Sequence, residues 1–142
     1  MYLTRFRTPV RALTLAGLLL MLSACGTNSF EYQGREYTCA DTVGATVCDD
    51  DSNHRGTAFK RYAQDLPAFL DDPQQQKAYP PPGPDAITRA RLGLAACDLY
   101  DLGLGYAEFV DLVKASKAPM EFDTLGVWAA ARQHMCHNQP AG

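Results

Sequence analysis

Residues Asp85–Leu102 have the sequence DAITRARLGLAACDLYDL, and this stretch decides the fold that we expect. Asp85 is a good N-cap, so we predict a helix that begins there and ends near Leu102. Its apolar residues fall on two faces, which are Ile87, Ala90, Leu94 and Cys97 on one and Leu92, Ala96 and Leu99 on the other. A helix with two apolar sides is typical of the centre of a bundle.

Two shorter helices are predicted after this central helix, beyond the break at residues 103–105. The first has an apolar stripe over residues 106–113 and ends near Ser116, and the second covers about residues 121–136. The apolar face of the second is expected to contain Phe122, Leu125, Trp128, Ala129, Met135 and Cys136. The sequence therefore predicts a helical domain over residues 85–138.

A small β element is predicted over residues 30–52. Aromatic residues alternate with polar ones on both sides of Gln33-Gly34, which favours a hairpin with its turn at this dipeptide. We expect residues 42–48 to add a third short strand. The aromatic residues of the hairpin, Phe30, Tyr32 and Tyr37, suit a contact face or the core equally well.

Between the β element and the central helix, the sequence predicts a helix within residues 53–75 and a linker over residues 76–84. Apolar residues recur at helical spacing over residues 57–72, and Pro67 predicts a kink or a new start. The proline-rich linker favours a stiff polyproline II spacer. The expected fold class is mainly α: a small disulfide-linked bundle of three to four helices with a short N-terminal β-hairpin.

The N-terminal residues have the features of an export signal. Three arginines precede an apolar run over residues 12–22, which is too short to span a bilayer as a permanent helix. The motif Leu22-Ser23-Ala24-Cys25 resembles the lipobox of bacterial lipoproteins. The resemblance implies that residues 1–24 are a signal peptide, that the Cys25 sulfur is diacylated, and that residues 25–29 are a lipidated tether. The expected location is the outer leaflet of the cell membrane, or the outer membrane if the host has one.

The charge balance is acidic once the signal peptide is set aside. The remaining 118 residues contain all 16 acidic residues and ten of the 13 basic ones, so their net charge is about −6 with neutral histidines. An acidic surface argues against a nucleic-acid partner and against electrostatic binding to anionic lipid. The link to the membrane is therefore expected to come from the acyl chains on Cys25.

Four cysteines remain when Cys25 is assigned to the lipid: Cys39, Cys48, Cys97 and Cys136. An even number in an exported chain favours disulfides, and three connectivities are possible. We favour Cys39–Cys48 with Cys97–Cys136, because each pair lies within one local unit of sequence. In the chain-entropy model these bonds stabilise the fold by about 3 and about 4 kcal/mol. Paired cysteines leave no thiolate for nucleophilic catalysis.

The C-terminal region contains the short motifs Ala95-Ala96-Cys97, Leu102-Gly103, Ala129-Ala130-Ala131 and His134-Met135-Cys136, and the pair Phe69-Leu70 lies upstream. Together they resemble a family of small exported actinobacterial proteins, the domain of unknown function number 732. The resemblance implies an all-helical domain in which a disulfide joins the second and last helices, here Cys97 to Cys136. The family has no established activity, so the resemblance implies a fold and no function.

Two sets of residues are weak candidates for metal ligands. Asp49 and Asp51 have the spacing that opens a calcium loop, but the later positions lack the glycine and glutamate of an EF-hand, which favours a solvated turn. His134 and His137 are three residues apart and have a spacing that suits zinc or copper, although a histidine in a last turn also suits the helix dipole. We predict no bound metal and no cofactor.

Arg132 lies near the middle of the predicted apolar face of the last helix. A buried guanidinium needs a carboxylate, and the expected partner is Asp98 or Asp101 on the central helix. An anionic ligand is the alternative partner, which makes Arg132 a weak candidate for a ligand site. An arginine in such a position can also extend its charged end from the apolar face to water.

The sequence predicts a non-catalytic cell-envelope lipoprotein that acts as an interaction or structural-support module for an envelope protein. Its serines lie in no Gly-x-Ser-x-Gly elbow, and no acid–base constellation follows from residue spacing, so we do not expect an enzyme. The alternative is an envelope lipoprotein that binds a small molecule or a metal, through Arg132 or through His134 and His137.

Overall fold

The part of the chain that the computed structural model describes, residues 28–116 and 121–136, is mainly helical with one short β-hairpin at its N-terminal end. The predicted fold class is therefore confirmed. The elements are β1 (Ser29–Tyr32), β2 (Arg35–Thr38), α1 (Cys39–Val43), α2 (Ala45–Asp49), α3 (His54–Tyr62), α4 (Leu66–Asp71), α5 (Pro73–Lys77), α6 (Ala86–Asp101), α7 (Tyr106–Ala115) and α8 (Thr124–His134). No helix in these two ranges is long and apolar enough to cross a membrane. The predicted signal peptide, Cys25 and His137 lie outside the described residues.

The hairpin forms at the predicted turn. β1 and β2 are antiparallel, and Ser29 lies opposite Thr38. Gln33 and Gly34 have φ angles of 52° and 75°, the left-handed conformation that a type I′ turn needs at both positions. Because Ser29 pairs within the sheet, the end of the tether predicted over residues 25–29 belongs to the fold.

The third strand predicted over residues 42–48 is wrong, because this segment lies in α1 and α2. Thr38 ends β2 and also begins α1 with a capping box, in which its hydroxyl accepts the Asp41 N–H and its own N–H donates to the Asp41 carboxylate. The Thr38 hydroxyl also donates to this carboxylate at 2.8 Å, and the two bonds that the carboxylate accepts, the one from the Thr38 backbone N–H first, hold the pKa of Asp41 below its ordinary value. A disulfide between Cys39 and Cys48 then links the two short helices.

The helix predicted within residues 53–75 is divided into α3, α4 and α5. A 3-10 turn at Ala63–Asp65 separates α3 from α4, and Pro67 lies in the first turn of α4, where its missing N–H costs no hydrogen bond. The linker predicted over residues 76–84 is shorter than expected, because its first residues complete α5 and Tyr79 is buried in the core.

The central helix is α6, as predicted. Asp85 caps its N-terminus by accepting a backbone N–H of the first turn at 2.8 Å, and α6 packs against α3, α4 and α8. Gly93 allows the close approach of α4, because a Cβ at this position would lie 2.7 Å from the ring of Phe69. A disulfide from Cys97 to Cys136 joins α6 to the residues that follow α8. Both disulfides are pairs that the sequence favours.

One apolar core joins the helices to the hairpin. Its largest fully buried side chains include Tyr62, Phe59, Phe69, Phe109, Leu66, Leu70, Met135 and Val127. The aromatic residues of the hairpin belong to this core, since the Phe30 ring stacks on Tyr37 at 5.2 Å and lies 6.2 Å from Phe59. Of the two roles that the sequence left open for these rings, packing is the one that the fold uses.

The last helix is shorter than the predicted residues 121–136. It begins at Thr124, because Asp123 caps it by accepting the Gly126 N–H at 3.1 Å. Leu125, which was expected on the apolar face, is 56% exposed, whereas Trp128 is buried. The inward face of α8 is therefore narrower than its apolar pattern indicates.

We predict that Gly93→Ala destabilises the protein. At an open helical site this change would stabilise by about 1 kcal/mol, but here the new Cβ would meet the fully buried Phe69 ring. Overpacking of this kind costs about 1–3 kcal/mol, which denaturant unfolding of the oxidised protein will measure. In the double variant with Phe69→Leu, the loss should be smaller than the sum of the two single losses. A Gly93→Ala protein as stable as the wild type would contradict the close contact.

Candidate functional site

A groove with a volume of about 710 Å³ runs along one side of α6. Most of the α6 residues that line it recur three and four positions apart, which places them on the side of the helix away from Gly93 and Cys97. The α6 residues in the lining are Thr88, Arg91, Leu92, Leu94, Ala95 and Asp98. We call this cavity the α6 groove.

Several other parts of the chain form the remaining walls of the α6 groove. The lining residues outside α6 are Val43, Arg55, Tyr79, Pro84, Leu112, Ser116 and Phe122. Most of the lining is apolar, so the floor resembles the sites that hold small molecules. Of the second apolar face predicted for α6, Leu92 lines the groove, Leu99 is half-buried and Ala96 is fully buried.

Of the residues that the structure describes, three with charged side chains line the α6 groove: Arg55, Arg91 and Asp98. Within the described ranges none of them forms a direct ion pair. The Arg91 Nε donates to the backbone carbonyl of Thr42, which ties α6 to the end of α1. Burial raises the pKa of Asp98, and the charges of His54 and Arg55 offset part of that rise. The three charges leave the groove with a net charge of about +1.

Two aromatic rings in the lining of the α6 groove contact each other, since the ring centres of Tyr79 and Phe122 lie 5.3 Å apart at a tilt of 36°. The buried Tyr79 hydroxyl makes no hydrogen bond of normal geometry within the described chain. Burial raises the pKa of Tyr79 to about 12, against the opposing effects of Gln75 and Arg89. Tyr79 therefore stays protonated at neutral pH and is no base.

The predicted metal ligands do not come together among the residues that the structure describes. No group of three or more His, Cys, Asp or Glu side chains in this part of the chain is placed to hold a metal ion. Asp51 forms an exposed ion pair with Lys60 at 3.0 Å, and Asp49 ends α2. His134 instead contacts Asp72, with 2.8 Å between Nε2 and Oδ2. His137, the other weak candidate at this end of the chain, lies outside the described residues.

The pairing predicted for Arg132 is wrong. Arg132 is exposed, and its guanidinium carbon lies 4.3 Å from the centre of the Tyr100 ring. Asp101 accepts hydrogen bonds from Arg61 and Tyr62 on α3, and Asp98 faces the α6 groove. The aliphatic stem and planar head of arginine allow it to cover an aromatic ring at the surface without burying its charge.

Sequence reasoning missed both arginines of the α6 groove. Arg91 stands directly before Leu92, a residue of the second apolar face predicted for α6. This position beside an apolar face was the one local signal that Arg91 could belong to a site. Arg55 lies far away in the sequence and reaches the same cavity only through the packing of α3 on α6.

Comparisons of the chain with known proteins find no matching family model, no matching curated protein and no matching solved structure. The resemblances to the domain of unknown function number 732 and to a lipobox therefore stay predictions from the sequence. The function has to be argued from the site itself.

Asp72 holds the end of α8 to the start of α5. Its carboxylate caps α5 by accepting the N–H groups of Gln74 and Gln75 at 2.8 and 3.0 Å, and it also contacts His134. Burial alone would raise the pKa of Asp72, but His134 and the two N–H donors together lower it below its ordinary value. A lowered carboxyl pKa stabilises the fold above its unfolded-state pKa, and this stability is lost as the pH falls through the folded-state pKa.

We predict that Asp72→Asn lowers the free energy of unfolding at pH 7 by about 1–3 kcal/mol, because it removes the charge that these donors share. The wild type should lose this stability as the pH falls below about 4, and the variant should lack that part of the pH dependence. Denaturant unfolding between pH 2 and pH 7 measures both effects. Asp71→Asn, at the exposed neighbouring carboxyl, is the matched control. Equal pH profiles for wild type and Asp72→Asn would exclude the stabilising role.

Proposed function

We propose that the chain is a non-catalytic binding domain of an exported lipoprotein and that the α6 groove is its ligand site. The observation that carries the proposal is the lining of the groove. A mostly apolar lining, to which α6 contributes six of the described residues, surrounds this cavity. Its volume of about 710 Å³ lies in the range of roughly 300–1,000 Å³ that small-molecule sites have.

The chemistry of the lining supports binding without catalysis. The Ser116 hydroxyl donates to the Val113 carbonyl oxygen at 2.7 Å, and the described residues that line the groove include no histidine or cysteine. Among these described residues, no nucleophile is paired with a histidine base. The sequence predicts two functions, and the proposal takes the alternative one, small-molecule binding. It assigns the binding to Arg55 and Arg91 and not to Arg132 or His134.

The anchor in this proposal is Cys25, which the sequence predicts to carry the lipid. The Asn28 carbonyl oxygen accepts the Cys39 N–H at 2.9 Å, so the described fold begins three residues after Cys25. Three residues span at most about 10 Å. A diacylated Cys25 would thus hold the domain close to a membrane surface, with two acyl chains sufficient for stable anchoring.

We predict that the α6 groove takes up a neutral long-chain alcohol. The full chain in phospholipid vesicles would be exposed to a photoreactive hexadecanol, and peptide mass spectrometry would locate the labelled residues. We expect labels on the groove-lining parts of α6 and α7. Ala95→Trp should fill the groove and reduce this labelling about tenfold or more, whereas Ala107→Trp, at an exposed site on α7, should not. Labelling elsewhere, or unchanged labelling of Ala95→Trp, would refute the binding proposal.

We predict that Cys25 carries the acyl groups. Bacteria that express the full chain would be given an alkyne-bearing fatty acid, and its incorporation would be measured on the purified protein. Cys25→Ser should remove the signal, because the thiol that accepts the diacylglyceryl group is absent, whereas Thr27→Ser should retain it. Incorporation into Cys25→Ser at the wild-type level would show that the lipobox prediction is wrong.

A further inference from the structure

The α6 groove combines an apolar floor with two arginines, and we infer that its ligand is an amphiphile with a single acyl chain and an anionic head group. The inference rests on the proposed function, because it names the class of ligand for that same groove. Arg55 and Arg91 would bind the head group, and the apolar lining would contact the chain.

The charge of the groove is opposite to that of the protein. The chain after residue 24 has a net charge of about −6, yet two arginines and one aspartate give the groove lining about +1. Arg55 comes from α3 and Arg91 from α6, so the fold brings cations from two helices to one cavity. A local positive site on an acidic protein attracts a small anion and leaves large polyanions repelled by the surrounding surface.

Both guanidinium groups have donors to offer. Arg55 forms no side-chain hydrogen bond or ion pair within residues 28–116 and 121–136. Arg91 lines the groove and uses its Nε for the Thr42 carbonyl, so no described hydrogen bond uses its Nη groups. A planar guanidinium binds a carboxylate or phosphate through two parallel hydrogen bonds, and preorganisation of the stem lowers the entropic cost.

Asp98 does not cancel this preference. Burial and the charge of Asp101 raise the pKa of Asp98, whereas His54 and Arg55 on α3 lower it. Even with Asp98 ionised, one aspartate stands against the two arginines of the lining. An anionic head group beside Arg91 would therefore be attracted by net positive charge, whereas a cationic head group would be repelled by the same charge.

The apolar part of the lining suits one flexible chain. Apolar lining residues from four segments surround one cavity: Val43, Leu92, Ala95, Leu112 and Phe122. A methylene group occupies about the volume of a water molecule in the liquid, about 30 Å³, so 710 Å³ accommodates roughly two dozen non-hydrogen atoms. A long-chain carboxylic acid fits this limit, and a phospholipid with two chains exceeds it.

The test compares two photoreactive probes of equal chain length, hexadecanoic acid and hexadecanol, on the full chain in phosphatidylcholine vesicles at pH 8, where the acid is mostly ionised. We expect the acid to label the α6 groove about tenfold more than the alcohol. Arg55→Gln and Arg91→Gln should each reduce the labelling by the acid severalfold and leave the labelling by the alcohol unchanged. Arg132→Gln is the matched control, since this exposed arginine lies outside the groove lining.

The outcomes separate the two proposals. Preference for the acid that depends on both arginines supports an anionic amphiphile. Equal labelling by the two probes, or a preference that survives both substitutions, overturns this inference and leaves the groove a binding site. Labelling by neither probe refutes the proposed function as well. Arg91→Gln also removes the bond to Thr42, so the melting temperature of this variant is measured as well. If Arg91→Gln is unstable, Arg55→Gln decides whether the preference for the acid depends on the arginines, because this change breaks no described side-chain contact.

Discussion

The contact between Gly93 and the Phe69 ring is the constraint on which the rest of the structure depends. Because residue 93 has no Cβ, α4 lies directly on α6, and the buried side of α6 can also accept α3 and α8. Cys97 lies one turn further along the same side, where its disulfide to Cys136 fixes the end of the α8 segment. One side of a single helix therefore organises the whole core, with the hairpin aromatics packed at its edge.

This arrangement also explains why the groove exists. A helix that packs one side against the core typically has polar residues on the opposite side, but α6 has Leu92 and Ala95 there. A cavity lies beside that part of α6, and Arg55 and Arg91 add positive charge to its otherwise mostly apolar lining. The groove is thus the place where the amphipathic rule is broken, and such places are expected at functional sites.

The sequence predicts those features that depend on local chemistry. Asp85 sets the start of α6, and Gln33-Gly34 sets the hairpin turn, because one cap or one left-handed dipeptide is sufficient. It fails where two local preferences compete: the β-branched residues after Cys39 favour a strand, but the capping box of Thr38 begins a helix. The groove could not be predicted, because Arg55 reaches it only through tertiary packing. Arg132 was misplaced because an apolar pattern does not show where a helix face ends.

The N-terminal end of the described chain is held in the fold by hydrogen bonds and by buried side chains. Ser29 is paired in the sheet, the Asn28 carbonyl is bonded to Cys39, and the rings of Phe30 and Tyr32 are buried among the helices. The α6 groove thus has a fixed position relative to residue 28. Residue 28, the first that the structure describes, is therefore held by the same core that carries the groove.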